Sequence, residues 1–407
     1  MGRLFFLALV NVGAYFVLRR LLPSVREGWR RHAFLGMSGL AVAAFALPLA
    51  LGLGSHGVLP VVGMPLKLFG SGWFIATGLV MLLGWPLALL RGRGGRARAG
   101  LLPAVPVDNG GPSLGAAPGV DMGRRNLLVG VGRALPVLAA GTSSAGIVAG
   151  SSGFEVREVE VRLRGLPRAL DGFRIGQITD VHVGAFIDVE YVRASVEAMN
   201  EARVDLQVMT GDLIDDLEQL DGTMAALEKC QAPHGMLAIL GNHEHWRGLR
   251  RILDAYAASA RRGSPVRLLV DESHVLEHAG QRVRVVGVDY PMSGRSMKVK
   301  GERMRRSAEV AFRGTSPEEV VLCLSHHPDF FPLAVERGAR LTLAGHTHGG
   351  QVAFLGMPLF RFAFDYMLGR YRRGESQLYV SGGTGHWLPF RLGVPAEVSI
   401  LTLRAED

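Results

Sequence analysis

The pattern of apolar and polar positions changes character about a third of the way along the chain. Up to residue 90 apolar residues run almost unbroken through 4–18, 33–53 and 66–90. Each stretch approaches the roughly 20 residues that a bilayer crossing needs. A fourth, moderately apolar and rich in small residues, occupies 123–150, where Arg133 and Pro136 weaken it as a spanning helix. From about Phe154 short apolar runs alternate with segments of helical period. "FRIGQITDVHVG", "DLQVMTGDLIDD" and "GMLAILGNHEHW" read as strands that run into polar loops. "VEYVRASVEAMNEA" and "LDGTMAALEKC" read as helices, the first with Val189, Val192, Val196 and Met199 on one side. "QRVRVVGVDY", "EEVVLCLSHHPD", "ARLTLAGHTHGG", "QLYVSGGTG" and "EVSILTLRA" are later strands with fewer helices between them. The pattern therefore predicts parallel β/α units up to about Glu244 and strands of mixed orientation beyond it.

The expected organisation is a transmembrane region of about three helices over 1–95 and a Gly/Pro/Ala-rich flexible linker over 96–122. An apolar segment over 123–152, a candidate fourth membrane helix, leads into an α/β domain over 153–407. Composition supports the division: the mean hydropathy of +0.22 is high for a soluble enzyme, and the excess lies in the first third. The net charge of +9 would suit nucleic acid. Much of it, however, sits in arginine clusters beside the apolar stretches, so nucleic acid is set aside as a partner. Arg19, Arg20, Arg26, Arg30 and Arg31 face one acid, Glu27, after the first stretch; Arg91, Arg93, Arg96 and Arg98 follow the third. The positive-inside bias places 19–32 and 91–125 in the cytoplasm and 54–66 outside. Arg124 and Arg125, ahead of the fourth stretch, resemble a twin-arginine export signal. If that stretch crosses, the protein is a multi-pass protein of the cytoplasmic (inner) membrane, with its α/β domain on the periplasmic or outer side. The two cysteines, Cys230 and Cys323, have no metal-ligand spacing and read as buried thiols.

Chemistry-bearing residues gather where the strands end. In open α/β sheets the functional crevice lies beyond the carboxyl ends of the strands. Those ends carry Asp180 and His182; Asp212; Asn242 and His243; His326; and His346 and His348. Any one of them alone is ordinary: an Asp caps a helix, an Asn occupies a turn, a His faces solvent. Five such stations in one domain are not. Carboxylate, imidazole and amide oxygen together suit Mn, Fe, Zn or Mg, and the set is too large for one tetrahedral ion. It suits two cations sharing a bridging carboxylate, an arrangement used for displacement at phosphorus. Neighbouring glycines let backbone and substrate approach closely.

The blocks "DVH", "GDLID", "GNHE", "SHHPD" and "GHTHGGQ", in that order, resemble the calcineurin-like metallophosphoesterases. "GHTHGGQ" and the closing "YVSGGTGHWLPFRLGVPAEVSILTL" are most similar to the membrane-associated bacterial phosphodiesterase branch, apart from Ala396 where that branch often has proline. The resemblance, which covers about Phe173 onward, implies a four-layer α/β sandwich of two mixed β-sheets flanked by helices. It implies two divalent metals (Mn, Fe, Zn or Mg): a first held by Asp180, His182 and His348, a second completed by Asn242, His326 and His346, with Asp212 bridging. It further implies attack by hydroxide shared between them, His243 stabilising or protonating the leaving oxygen, and Asp215 orienting His243. His327 is assigned to solvent or to a supporting position, His245 and His386 to the surroundings, and Asp216 to a solvated turn.

The implied activity is hydrolysis of phosphodiester or pyrophosphate bonds. Three membrane stretches exceed what an export signal needs, so function at the membrane is not copied from single-anchor relatives. "RSMKVKGERMRR" is basic, although a solvated helix or loop accounts for it, and 354–374 is rich in aromatic and apolar residues beside the two ligand histidines. Together with the anchors these favour a lipid or cell-envelope phosphoester presented at a bilayer. The alternatives are a broad phosphomonoesterase or nucleotidase on soluble substrates, a nuclease, and a non-catalytic membrane sensor with a phosphoesterase-like domain.

Overall fold

The structure is a computed structural model. It describes residues 2–22, 25, 28–50, 60–96, 120–293, 296–354, 356–362 and 364–406. Most of the expected linker, the head of the outer loop, and Arg26 and Arg98 lie outside the described residues, as do the side chains of Arg124 and Arg125. The chain divides into two compact units, residues 1–147 and 148–407.

The first unit is helical: α1 (Gly2–Leu21), α2 (Trp29–Ala50), α3 (Pro60–Arg96) and most of α4 (Val120–Gly150). α3 packs against both α1 and α2 around Ala14, Val17, Leu21, Phe34 and Val80. One polar knot ties the three together. The Trp73 indole N–H on α3 lies 2.9 Å from Asn11 Oδ1 on α1 and 3.1 Å from Ser38 Oγ on α2. Such interhelical hydrogen bonds take over where lipid removes the hydrophobic drive between helices. Among the described residues, Gly63–Leu89 and Gly130–Gly150 are long and apolar enough to cross a membrane.

The second unit holds two six-stranded sheets. In the first the order is β1 (Glu155–Arg164), β14 (Glu397–Glu406), β2 (Arg174–Ile178), β3 (Leu206–Thr210), β4 (Met236–Ile239) and β5 (Val266–Leu268). In the second it is β12 (Gly369–Arg373), β13 (Ser376–Val380), β9 (Leu341–Ala344), β8 (Val320–Leu324), β7 (Gln281–Gly287) and β6 (Glu272–His278). Ile175, Val208, Leu237, Val285, Leu322, Leu343 and Leu401 meet in one dry cluster to which both sheets contribute. The first sheet's remaining apolar residues pack with α5 (Val189–Glu201), α6 (Leu220–Leu227) and α8 (Leu249–Arg261). The second's pack with α9 (Met297–Ala311) and α10 (Phe331–Glu336). This is the expected four-layer sandwich of mixed sheets. α5 forms as its spacing predicts: Asp188 caps it by accepting from Tyr191 N at 3.0 Å, and Val192, Val196 and Met199 are buried.

The later half is more regular than its sequence suggests. In the second sheet β7, β8, β9 and β13 run parallel, and among the described residues its antiparallel pairs are the edge pairs β6–β7 and β12–β13. α9 is the reason: its buried face of Met304, Ser307, Ala308 and Ala311 is small-residue and hides among arginines, yet it supplies a right-length crossover. Both cysteines are free and buried, as expected.

Leu343 lies on a central strand between the sheets and is fully buried. Leu343→Ala should lower stability by about 2–5 kcal/mol through lost transfer energy and a residual cavity. The shift of the denaturant midpoint of the α/β unit measures it.

Candidate metal centre

Because β2, β3, β4 and β7, β8, β9 are parallel within their sheets, their carboxyl ends share an edge. The loops that leave this edge bear Asp180 and His182 after β2, Asp212 after β3, and Asn242 and His243 after β4. His326 follows β8, and His346 and His348 follow β9. Five of these residues turn back through left-handed backbone: Asp180, His182, Asp212, His346 and His348 have φ of 52°, 58°, 55°, 72° and 49°. Asp and His are among the few side chains that enter this region, and such strain collects at functional sites. Two glycines are sterically required. A Cβ on Gly345 would lie 2.1 Å from Asp180 Oδ2, and one on Gly241 would lie 2.2 Å from Asp212 Oδ1.

The donor atoms form neighbouring groups. In the first, His182 Nε2 meets His348 Nε2 at 3.1 Å, and Asp180 Oδ1 lies 3.4 Å from His348 Nε2. In the second, His346 Nδ1 lies 3.2 Å from His326 Nε2, itself 3.2 Å from Asp212 Oδ2. That same Asp212 oxygen is 3.8 Å from His182 Nε2 and 3.9 Å from His243 Nε2, so it faces both groups. Orientation is fixed from behind. His326 Nδ1 donates to Thr210 O at 2.8 Å, which leaves Nε2 as its inward atom. The His346 backbone N–H donates to both Asp180 oxygens, at 3.0 and 2.9 Å. His243 Nδ1 bonds Asp215 Oδ1, and Arg247 Nε donates to the same oxygen at 3.0 Å.

Electrostatics follow from this crowding. Burial alone would raise the Asp212 carboxyl, but His326 and His182 hold it well below the usual carboxylate range. Burial would lower the His326 imidazole; Asp212 and Asp180 outweigh it and lift it to about 10. Burial and His326 push His346 down to about 4, and burial and His182 carry His348 well below its ordinary value. Metal ligation requires a neutral imidazole: His346 and His348 are held in that form, while His326, raised by the carboxylates, would give up its proton to a cation. Asn242 Oδ1 supplies an independent test of fit. It is buried, and among the described residues no hydrogen-bond donor reaches it. A buried amide oxygen without a partner is costly, and a cation relieves that cost. Three overlapping triads can each hold an ion: Asp180–His182–His348, His182–Asp212–His243 and Asp212–His326–His346.

The fold thus brings Asp180, His182, Asp212, His326, His346 and His348 together with His243 and Asp215, and the seventh expected ligand, Asn242, is buried directly before His243. His327 is not in the solvent: it is buried, with Nε2 2.9 Å from Lys300 Nζ and Nδ1 accepting from Asp329 N at 3.2 Å. His245 Nε2 lies 2.8 Å from Asp289 Oδ1, and Asp216 caps a short turn by accepting from Glu218 N at 3.1 Å. His386 is buried, and burial with Arg391 nearby lowers it to about 3.

Two supporting residues escape the sequence reading. Glu244, the last residue of "GNHE", is buried and accepts from Gly241 N (2.7 Å), Asp212 N (2.9 Å), Leu213 N (2.7 Å) and Ile214 N (3.2 Å). Its signal was present as an acid at the third position of α7 (Asn242–Arg247), where a carboxylate caps the helix start. Arg391 is 1% exposed and donates to carbonyl oxygens of Gly382 (2.8 Å), Gly383 (3.0 Å) and Gly385 (2.6 Å). It thereby holds the loop beside His348; nothing in its spacing signals that.

Residues 173–350 match the Calcineurin-like phosphoesterase family. The uncharacterized metallophosphoesterase YkuE of Bacillus subtilis is 29% identical over 305 residues, 70% of this chain and 99% of that one. An uncharacterized metallophosphoesterase of Helicobacter pylori is 29% identical over 253 residues, 61% of this chain, and the chain spans 64% of its length. A transmembrane protein with metallophosphoesterase domain from Danio rerio is 26% identical over 271 residues, 64% of this chain and 59% of that protein.

Glu244→Ala should leave four backbone N–H groups of the ligand-bearing turn without their acceptor. Stability should fall by about 1–3 kcal/mol or more, and metal content, read by elemental analysis of the purified protein, should fall with it.

Proposed function

From a chain whose residues 173–350 form a calcineurin-like metallophosphoesterase domain, we propose a membrane-anchored phosphoester hydrolase that cleaves phosphodiester or pyrophosphate bonds of a lipid or cell-envelope substrate. One observation carries the reading: Asp212 Oδ2 faces two donor groups at once, with a carboxylate-held histidine beside it. Asp180, His182 and His348 would hold one divalent cation and Asn242, His326 and His346 a second, with Asp212 between them. Mn, Fe, Zn and Mg all accept such donors. When bound, the pair supplies Lewis acidity, lowering the pKa of water toward neutrality and offsetting charge on phosphorus.

The chain's own groups do the rest. Asp215 accepts from His243 Nδ1, so Nε2 is free to carry a proton to the leaving oxygen. Arg247 holds Asp215 in turn, donating to Oδ1 at 3.0 Å. Burial would raise Asp215, but hydrogen bonds from His182 and His243 keep it well below the usual range. The loop after β9 supports the lipid part of the reading, because it carries exposed Phe354, Met357 and Phe362. Gly63–Leu89 and Gly130–Gly150 support anchoring in a membrane. The arginine clusters favour a multi-pass arrangement in the cytoplasmic membrane with the α/β unit on its outer side.

Bis-p-nitrophenyl phosphate compared with the monoester, on protein whose metal content is measured in the same sample, is the first test; preference for the monoester would favour a phosphomonoesterase instead. Asp212→Asn should lower metal content and abolish turnover. His243→Ala should keep its metal while the rate falls by roughly 10²–10⁴. A site emptied by His243→Ala would make His243 a ligand and refute the division of roles.

A further inference from the structure

The loop that follows the ligand turn is apolar where it should not be. After His348 the chain forms a small hairpin of β10 (Ala353–Phe354) and β11 (Met357–Pro358), then runs on through residue 362. Phe354 is 67% exposed and Phe362 82%, and Met357, Leu359 and Phe360 are exposed as well. Scattered apolar surface residues need no explanation, but five within nine residues make a patch, and patches of this kind mark contact sites. The base of the hairpin is anchored at the metal centre. A Cβ on Gly350, two residues past His348, would lie 3.3 Å from the Phe360 ring. The Phe364 ring lies 5.9 Å from His346 and 6.1 Å from His327.

His327 connects this patch to a second one. Its Nε2 is 2.9 Å from Lys300 Nζ, at the start of α9, where Met297 is 73% exposed and Val299 is exposed beside it. Segments 297–300 and 354–362 therefore border one side of the same centre. They carry exposed Lys298, 4.0 Å from Glu302, and exposed Arg361 and no acid, while Lys300 is paired with Asp329 Oδ2 at 2.8 Å.

We propose that these two segments form a docking face that inserts into the headgroup region of an anionic lipid bilayer. Apolar side chains alone would equally suit a second copy of the chain. Cations interleaved with them, Lys298 between Met297 and Val299 and Arg361 between Phe360 and Phe362, select an anionic interface, where aromatic rings enter the acyl boundary and the cationic heads stay among the lipid phosphates. Docking of this kind brings the opening of the metal centre to the depth of phosphate groups. It goes beyond the lipid-substrate reading, since an enzyme can dock and still cleave soluble esters.

The full chain, reconstituted in vesicles of phosphatidylcholine and phosphatidylglycerol, tests the face without any turnover. Phe362→Cys carries an environment-sensitive fluorophore, and Glu375→Cys, in the β12–β13 turn at the opposite end of its sheet, is the reference. Cys230 and Cys323 are buried, so unsubstituted protein gives the labelling background. The probe at 362 should shift to the blue and lose emission to nitroxide-bearing lipids, while the probe at 375 does neither. Equal behaviour at the two positions would overturn the proposal. So would a blue shift in detergent that grows with protein concentration, which would assign the face to a second copy. Quenching at 362 that is unchanged in pure phosphatidylcholine would overturn the choice of an anionic surface. If docking is seen while only soluble esters are cleaved, the face stands and the lipid-substrate reading falls.

Discussion

A single carboxylate has to serve two groups of imidazoles, and the architecture around the centre follows from that requirement. Asp212 directs one oxygen at His326, His182 and His243, and gives the other to the His243 backbone N–H at 2.8 Å. Its position is set by Glu244, whose two oxygens collect four backbone N–H groups from the turns that carry Gly241 and Asp212. Two buried carboxylates this close repel. Burial and Asp212 accordingly raise Glu244, while the amide donors work against the rise. Buried charge is tolerated only when it is matched by hydrogen bonds or by opposite charge. Glu244 is matched by amides. Asp212 and Asp180 are matched in part by imidazoles, and divalent cations held by the same donors would complete the match.

Left-handed backbone is how the turns aim their side chains. An Asp or His leaving a strand in ordinary extended geometry would point across the sheet rather than over its edge. Reversing φ at Asp180, His182, Asp212, His346 and His348 folds those side chains back over the strand ends. Each such residue costs on the order of 1 kcal/mol, which a loose scaffold would release by relaxing. The dry cluster between the sheets prevents this, because Ile175, Val208, Leu237, Leu322 and Leu343 fasten the parent strands just upstream of the turns. Fully burying one such side chain contributes about 1.5–3 kcal/mol. The fold is rigid where its functional edge is strained.

Much of this was legible from sequence because strand ends announce themselves. An apolar run followed at once by Asp, His or Asn needs no long-range information, and five such runs in order point to the strand ends where the fold gathers these side chains. What escaped was non-local. Glu244 was visible only as the tail of a motif, since its partners lie in the turn after β3. Arg391 has the look of a surface arginine and is among the most buried side chains, because its partners are carbonyls of a loop it helps to shape. β1, a charged and alternating strand, takes its place by pairing with β14 some 240 residues later, a register that local pattern does not encode. The regularity of the second sheet was hidden for a similar reason: α9 buries Ser and Ala rather than a stripe of Leu.

His243 shows why donor type alone does not assign a role. It belongs to one of the three triads able to hold an ion, so proximity would permit ligation. Its other nitrogen argues for a different task. Asp215 binds His243 Nδ1 with one oxygen and sets the other 3.5 Å from His182 Nδ1, so one acid faces both imidazoles. A structural ligand needs orientation only. The proton carrier we propose also needs its second nitrogen left free, and Asp215, itself held by Arg247, engages Nδ1 alone. Trp246 is exposed and 5.0 Å from the His243 ring, which is 9% exposed against 2% for His182 and 1% for His326. The histidine whose nitrogen meets the leaving group has to be one that the leaving group can reach, and His243 is the one we propose for that task.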